Sequence, residues 1–149
     1  MTIDITWMEE NILLHKLHKN DISLIKEVFE AKHFSTGDEI IQQGDPGKGL
    51  HILRSGNAGI SCKEMDRSIF LAEMGEGALF GEMSFFTGGE SSATVTAYDH
   101  CITYELTRKN YCTLIVKNQH ILMSLMAHMV SHNSKIIKAM NLEKIQALQ

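Results

Sequence analysis

Phe80-Gly-Glu-Met-Ser-Phe-Phe-Thr-Gly-Gly-Glu-Ser-Ser-Ala-Thr-Val95 is the stretch on which the reading of this chain turns. Phe80-Gly81-Glu82 closes a turn-rich region and opens a short helix through Met83–Thr87. A helix N-terminus presents unpaired N–H groups and a partial positive charge, which together suit a phosphate. Gly81 has no Cβ, so the backbone there can come close to a bound group. Glu82 has two readings. Its carboxylate favours the helix N-terminus electrostatically, and it can also accept hydrogen bonds from a hydroxyl of a bound group.

Glycine placement divides the rest of the chain. All 11 glycines lie between Gly37 and Gly89, as does the single proline, Pro46. Glycine supplies the positive-φ positions of tight turns, so the middle third is expected to be a succession of short strands. The pieces EIIQQ, LHIL, NAGISC and SIFLAEM are strand-like, separated by the turn clusters Gly44–Gly47, Ser55–Asn57 and Gly75–Gly77. ATVTAY and CITYEL continue the pattern. In the second, Ile102, Tyr104 and Leu106 alternate with Thr103 and Glu105.

Both ends of the chain read as helical. Asn20 or Asp21 caps a helix carrying Ile22, Ile25, Val28 and Phe29, and a shorter helix over Met8–His18 precedes it. The helical period returns beyond Thr107, with a long helix from about Asn118 to beyond Met140. Its residues Leu122, Met126, Met129, Asn133, Ile136 and Met140 follow a 4-3-4-3-4 spacing, a seam suited to pairing two helices. The expected architecture is mainly β with flanking helices.

The 80–95 segment resembles the phosphate-binding cassette of the cyclic nucleotide-binding domain family, which includes protein kinase A regulatory subunits and bacterial catabolite activator proteins. Phe34-Ser-Thr-Gly-Asp-Glu-Ile-Ile-Gln-Gln-Gly-Asp45 is similar to the segment that leads into that family's β-roll, and Leu50-His-Ile-Leu-Arg-Ser-Gly56 to its next hairpin. The ordered succession runs from about residue 12 to 137. It implies a double-stranded β-helix, a jelly-roll-like β-roll over about 34–107, with N-terminal helices, a short cassette helix and a long C-terminal helix over about 118–145. Residues 1–149 then form one domain.

The resemblance also implies a ligand, cAMP or cGMP or another small phosphate compound, with no other cofactor. It assigns Phe80, Gly81, Glu82, Met83, Ser84, Ser91, Ser92 and Ala93 to the binding segment, with Glu82 on the ribose 2′-hydroxyl. Asn133 and Ser134 fall near where related activators touch the base. In the family an arginine follows the cassette helix and pairs with the cyclic phosphate; the matching residue here is Ser91, between Glu90 and Ser92. Ser92 keeps the small residue of the pattern. Arg54, Lys63 and Arg67 are the nearby cations of the strand region, and they read as solvated surface charges.

Composition narrows the function. With 14 Lys and Arg against 18 Asp and Glu, the net charge is −4, which disfavours binding of nucleic acid by general electrostatics. The chain ends at Gln149, roughly where a helix-turn-helix would begin, so no direct DNA reading is expected. The N-terminal residues contain no basic-then-apolar signal, and the most apolar window, Ile121–Val130, is ten residues long, too short to span a bilayer. Cys62, Cys101 and Cys112 form no CxxC, as expected of a reduced cytoplasmic protein.

His51 stands alone in the glycine-rich region, without the HxH pair of a cupin metal site, and no GxSxG nucleophile motif occurs. Two non-enzymatic functions remain. One is a receptor that signals through its C-terminal helix to a protein effector, as a homodimer paired along that helix. The other is a ligand-independent interaction scaffold built on a degenerate pocket.

Overall fold

The structure, a computed structural model, describes residues 2–132 apart from the side chain of Met83. Its centre is a pair of four-stranded antiparallel sheets. β1 (Phe29–Phe34), β8 (Cys101–Thr107), β3 (Gly49–Ser55) and β6 (Leu79–Phe80) form one sheet in that order. β2 (Glu39–Ile41), β7 (Thr94–Ala97), β4 (Ala58–Glu64) and β5 (Arg67–Met74) form the other. This is the jelly-roll-like β-roll that the resemblance implies, and it has the mainly β character expected from the turn spacing.

Helices cover one face of the first sheet. They are α1 (Ile5–Met8), continued by a π-helical turn at Glu9–Leu13, and α2 (Lys19–Val28). Beyond the roll come α4 (Arg108–Lys117) and α5 (119–132), while α3 (Glu82–Thr87) lies between β6 and β7. Asn118 separates α4 from α5. Its extended backbone ends α4, and its Oδ1 accepts from the Ile121 N–H at 3.1 Å, which caps the start of α5 where the sequence expects the long helix to begin.

Strand alternation splits the core in two. Leu50, Ile52, Tyr104 and Leu106 face the helices and pack with Trp7, Met8, Ile25, Val28, Leu114, Ile121 and Leu125. Their alternates face the roll interior. There Leu53, Ala58, Met74, Phe80, Val95, Ala97 and Cys101 make a second apolar cluster. At the other end of the same interior face stand Gly49, His51, Thr103 and Glu105. One end of the roll is therefore greasy and the other polar.

Several local expectations are corrected. The first helix breaks at Leu14, which takes a left-handed conformation (φ 60°), so it does not reach His18. The second begins at Lys19 with His18 at its N-cap position, and Asp21 sits in the first turn, accepting from Asn118 Nδ2 at 2.7 Å. Phe29 does not extend that helix. The backbone turns extended there (φ −99°, ψ 141°) and β1 follows at once, paired along its length with β8. In α5 the core-facing residues are Ile121 and Leu125, with Leu122 and Met129 half-buried, while Met123, Met126 and Val130 are exposed.

Candidate functional site

The polar end of the roll opens into a cleft of about 340 Å³, within the range of small-ligand pockets. β2, the loop Gln42–Lys48, the start of β3 and the two serines Ser84 and Ser91 wall it, and His51 and Glu105 lie among its lining residues.

The loop is fixed to the cassette by backbone contacts. The Gly44 N–H donates to the Ser91 carbonyl and the Ser91 N–H to the Asp45 carbonyl, both at 2.8 Å, and Pro46 bridges Glu90. Gly47 lies flush on α3: a Cβ there would stand 2.5 Å from the Ser84 carbonyl carbon and 2.7 Å from its oxygen. Backbone cannot yield as a side-chain tip can. Gly47→Ala is therefore expected to cost about 1–3 kcal/mol, read as a lower urea midpoint. Gly59→Ala is the control, because the Cβ at that position would meet only the end of the exposed Tyr98 ring, which can swing aside. Equal midpoints for the two variants would refute the clamp.

Beneath the cleft lies a buried polar row. His51 Nδ1 bonds Thr103 Oγ1 at 3.1 Å, and Nε2 lies 3.3 Å from Glu105 Oε2. Lys32 Nζ approaches the other Glu105 oxygen at 3.0 Å. The His51 ring stacks on Phe80, with centroids 5.3 Å apart and planes 9° apart. Burial holds the imidazole well below its ordinary range, to about 4; the Glu105 carboxylate opposes that shift and Lys32 adds to it. His51 is accordingly neutral near pH 7, a satisfied interior histidine. Among the described residues, no three His, Cys, Asp or Glu side chains converge on one point.

The cassette residues fall into two groups. Gly81 takes φ +83° at the N-cap position of α3, a conformation that favours glycine. A Cβ there would press on the Gly49 carbonyl and on Ile41, so the turn backs directly onto the cleft floor. Ser84 and Ser91 are buried, with hydroxyls 3.4 Å apart, and both line the cleft. Phe80 is buried beneath His51. Glu82 opens α3 half-buried, Ser92 is exposed and Ala93 half-buried; none of the three lines the cleft. Asn133 and Ser134 lie outside the described residues, as does the rest of the seam beyond them.

The cations are where charge and packing put them. Arg54 is bound at the N-terminal helix, 3.1 Å from Asp4 and 3.2 Å from Glu76, with its guanidinium 4.8 Å from the Trp7 ring centre. It does not serve the cleft. Lys48 lines the cleft, and sequence reading passed over it because nothing in the loop's composition aims it there. Arg108, at the start of α4, straps the cassette from behind. Its Nη2 donates to the Phe85 carbonyl at 2.5 Å and to that of Gly47 at 3.4 Å, and its guanidinium lies 5.1 Å from the Phe85 ring centre. Tyr111 of α4 meets Phe85 and Phe86 edge-on, at 5.1 and 5.7 Å.

The chain thus combines a β-roll, a glycine-backed cassette, a polar cleft and an α4 strapped to the cassette, and this combination can be compared with known proteins. Residues 31–118 match the cyclic nucleotide-binding domain model, and the chain belongs to that family. It is 32% identical over 109 residues to the cyclic AMP receptor protein of Thermus thermophilus, covering 72% of this chain and 50% of that protein. It is 27% identical over 109 residues to the cAMP-dependent protein kinase regulatory subunit of Mucor circinelloides, covering 73% of this chain and 26% of the relative. The chain thus spans half or less of the length of these regulatory proteins. Among solved structures, the Thermus thermophilus catabolite activator protein superposes with a TM-score of 0.70 at 28% identity, over 89% of this chain and 62% of that one.

Proposed function

We propose that this chain is a non-enzymatic sensor domain that binds a cyclic nucleotide, cAMP or cGMP, or a related phosphate ligand, and signals through its C-terminal helix to a protein effector. Phe80, Gly81, Glu82, Met83, Ser84, Ser91, Ser92 and Ala93 form the binding segment, with Glu82 accepting from the ribose 2′-hydroxyl. Asn133 and Ser134 meet the base. The observation that carries the reading is the strap. α3 and α4 are joined by the Arg108–Phe85 bond and the Phe85–Tyr111 contact, so a ligand that shifts the cassette displaces the helices that follow.

Exposed Met123, Met126 and Val130, at helical spacings of three and four, support pairing of α5 with a second copy as a homodimer. The chain itself neither reads DNA nor enters a membrane in this reading. Its three free cysteines fit a reducing cytoplasm.

One observation favours the scaffold reading instead. Position 91 brings no charge, and Glu39 and Asp45 place exposed carboxylates on the cleft wall. Calorimetric titration of the purified chain with cAMP and cGMP, with light scattering on the same samples, separates the two. The sensor reading expects saturable heat and a mass of two chains. A silent titration sinks it in favour of the scaffold, and a mass of one chain at tens of micromolar removes the homodimer.

A further inference from the structure

We infer that Lys48 supplies the positive charge that meets the phosphate of the bound ligand; this rests on the sensor reading above. Lys48 lines the same cleft as Ser84 and Ser91, and among the described residues its ammonium is engaged by no carboxylate. Of the other basic groups named above, Lys63 and Arg67 do not line the cleft, and the rest are committed. Lys32 is paired with Glu105, Arg54 is held by Asp4 and Glu76, and Arg108, which does not line the cleft, is bonded to the Phe85 and Gly47 carbonyls.

The root of Lys48 is fixed on both sides. Gly47 is pressed on the Ser84 backbone, and Gly49 is pressed on the Glu105 side chain, which a Cβ would meet at 2.9 Å. The stem therefore leaves from a rigid point on the cleft rim while its tip stays free to rotate. That combination lets a compact ammonium meet a phosphate oxygen as a point charge. The hydroxyls of Ser84 and Ser91, 3.4 Å apart in the same cleft, supply neutral donors beside it.

The surrounding charges set what the cleft accepts. Glu105 is balanced by Lys32, which leaves Glu39 and Asp45 as exposed carboxylates against one free lysine. Such a wall is no general trap for anions. It holds a phosphate only when the rest of the ligand positions that group at Lys48, so the nucleoside binds on its own contacts and the phosphate adds to them through Lys48.

The test titrates cAMP, cGMP and adenosine into the full chain, Lys48→Met, Lys48→Arg and Asp45→Asn. Circular dichroism verifies that each variant is folded; both positions are exposed. Lys48→Met is expected to weaken the cyclic nucleotide about tenfold or more and to leave adenosine, which has no phosphate, unchanged. Lys48→Arg should retain most of the affinity, and Asp45→Asn should improve it. Cyclic nucleotide bound equally by the wild type and Lys48→Met overturns the role of Lys48 and leaves the sensor reading intact. Equal losses for cyclic nucleotide and adenosine overturn it as well, since the lysine would then act on the shape of the cleft and not on the phosphate. A wild-type chain that binds none of the three overturns the sensor reading and the role of Lys48 with it.

Discussion

Ser91→Arg is expected to raise the affinity for cAMP by about ten- to a hundredfold. A charge-assisted bond to a phosphate contributes about 1.5–3 kcal/mol, and about 1.4 kcal/mol is a factor of ten. Arginine suits this because its planar fork of donors matches phosphate oxygens, which serine cannot do. The position is suitable too. The Ser91 N–H and carbonyl are held by Asp45 and Gly44, and its hydroxyl lies 3.4 Å from that of Ser84 in the cleft lining.

Glu90 is exposed next to the new guanidinium and would compete for it, so Glu90→Ala in the same chain should enlarge the gain. Glu82→Ala should remove most of it, because it deletes the carboxylate proposed above to accept from the ribose. Calorimetry on folded protein reads each step. If the Ser91→Arg, Glu90→Ala chain binds no cyclic nucleotide at millimolar concentration, the pocket itself is lost and the scaffold reading stands.

The second large effect is on stability against pH. His51 titrates at about 4 in the folded protein and near 6.5 when unfolded. As the pH falls below about 6.5 the unfolded chain takes up this proton first, so stability falls toward pH 4 and is fully present above 6.5. The slope is about 1.4 kcal/mol per pH unit, and about 3 kcal/mol is lost over the whole window.

Asp4 and Asp99 are held below the usual carboxylate range, chiefly by hydrogen bonds from the backbone N–H groups of Trp7 and Asn57. Their contributions are lost lower, as the pH falls below about 4. Urea midpoints for the wild type and His51→Gln at pH 7, 5.5 and 4.5 isolate the histidine. The wild type should lose stability relative to the variant at each step down. Parallel curves would mean that His51 takes up its proton alike in the folded and unfolded chain, so that burial does not hold it neutral.

How much of this was legible in the sequence follows from where the signals lie. Glycines and alternating apolar residues mark β2–β5, β7 and β8, because turns and half-buried strands impose local rules on residue type. β1 carries no such mark. Phe29 continues the helical spacing of Ile22, Ile25 and Val28, and only the long-range pairing with β8 holds Phe29–Phe34 extended. Leu14 hides the end of the first helix, since a leucine at positive φ carries no composition signal.

The cassette was legible as a motif, but the cleft was not. Lys48, His51, Ser84, Ser91 and Glu105 come from separate strands and loops, and only the closing of the roll brings them to one end. The packing of α5 shows the same limit. The 4-3 spacing identifies an apolar helix, yet the roll decides that Ile121 and Leu125 turn inward while Met126 stays outside.

The short turn Gly75–Gly77 bears on how such a domain can move. Glu76 accepts from the Trp7 indole at 2.6 Å and pairs with Arg54, tying the N-terminal helix to the roll. One residue on, the Gly77 carbonyl accepts from His128 of α5 at 2.7 Å. Opposite ends of the chain thus lean on a single doorstop, but with unequal grips. The N-terminal side holds by ring, ion pair and indole together, whereas α5 reaches this turn through the His128 hydrogen bond, worth about 0.5–1.5 kcal/mol net. The turn itself therefore resists a movement of α5 only weakly and grips the N-terminal helix firmly, and it is Ile121 and Leu125 in the core that anchor the start of α5.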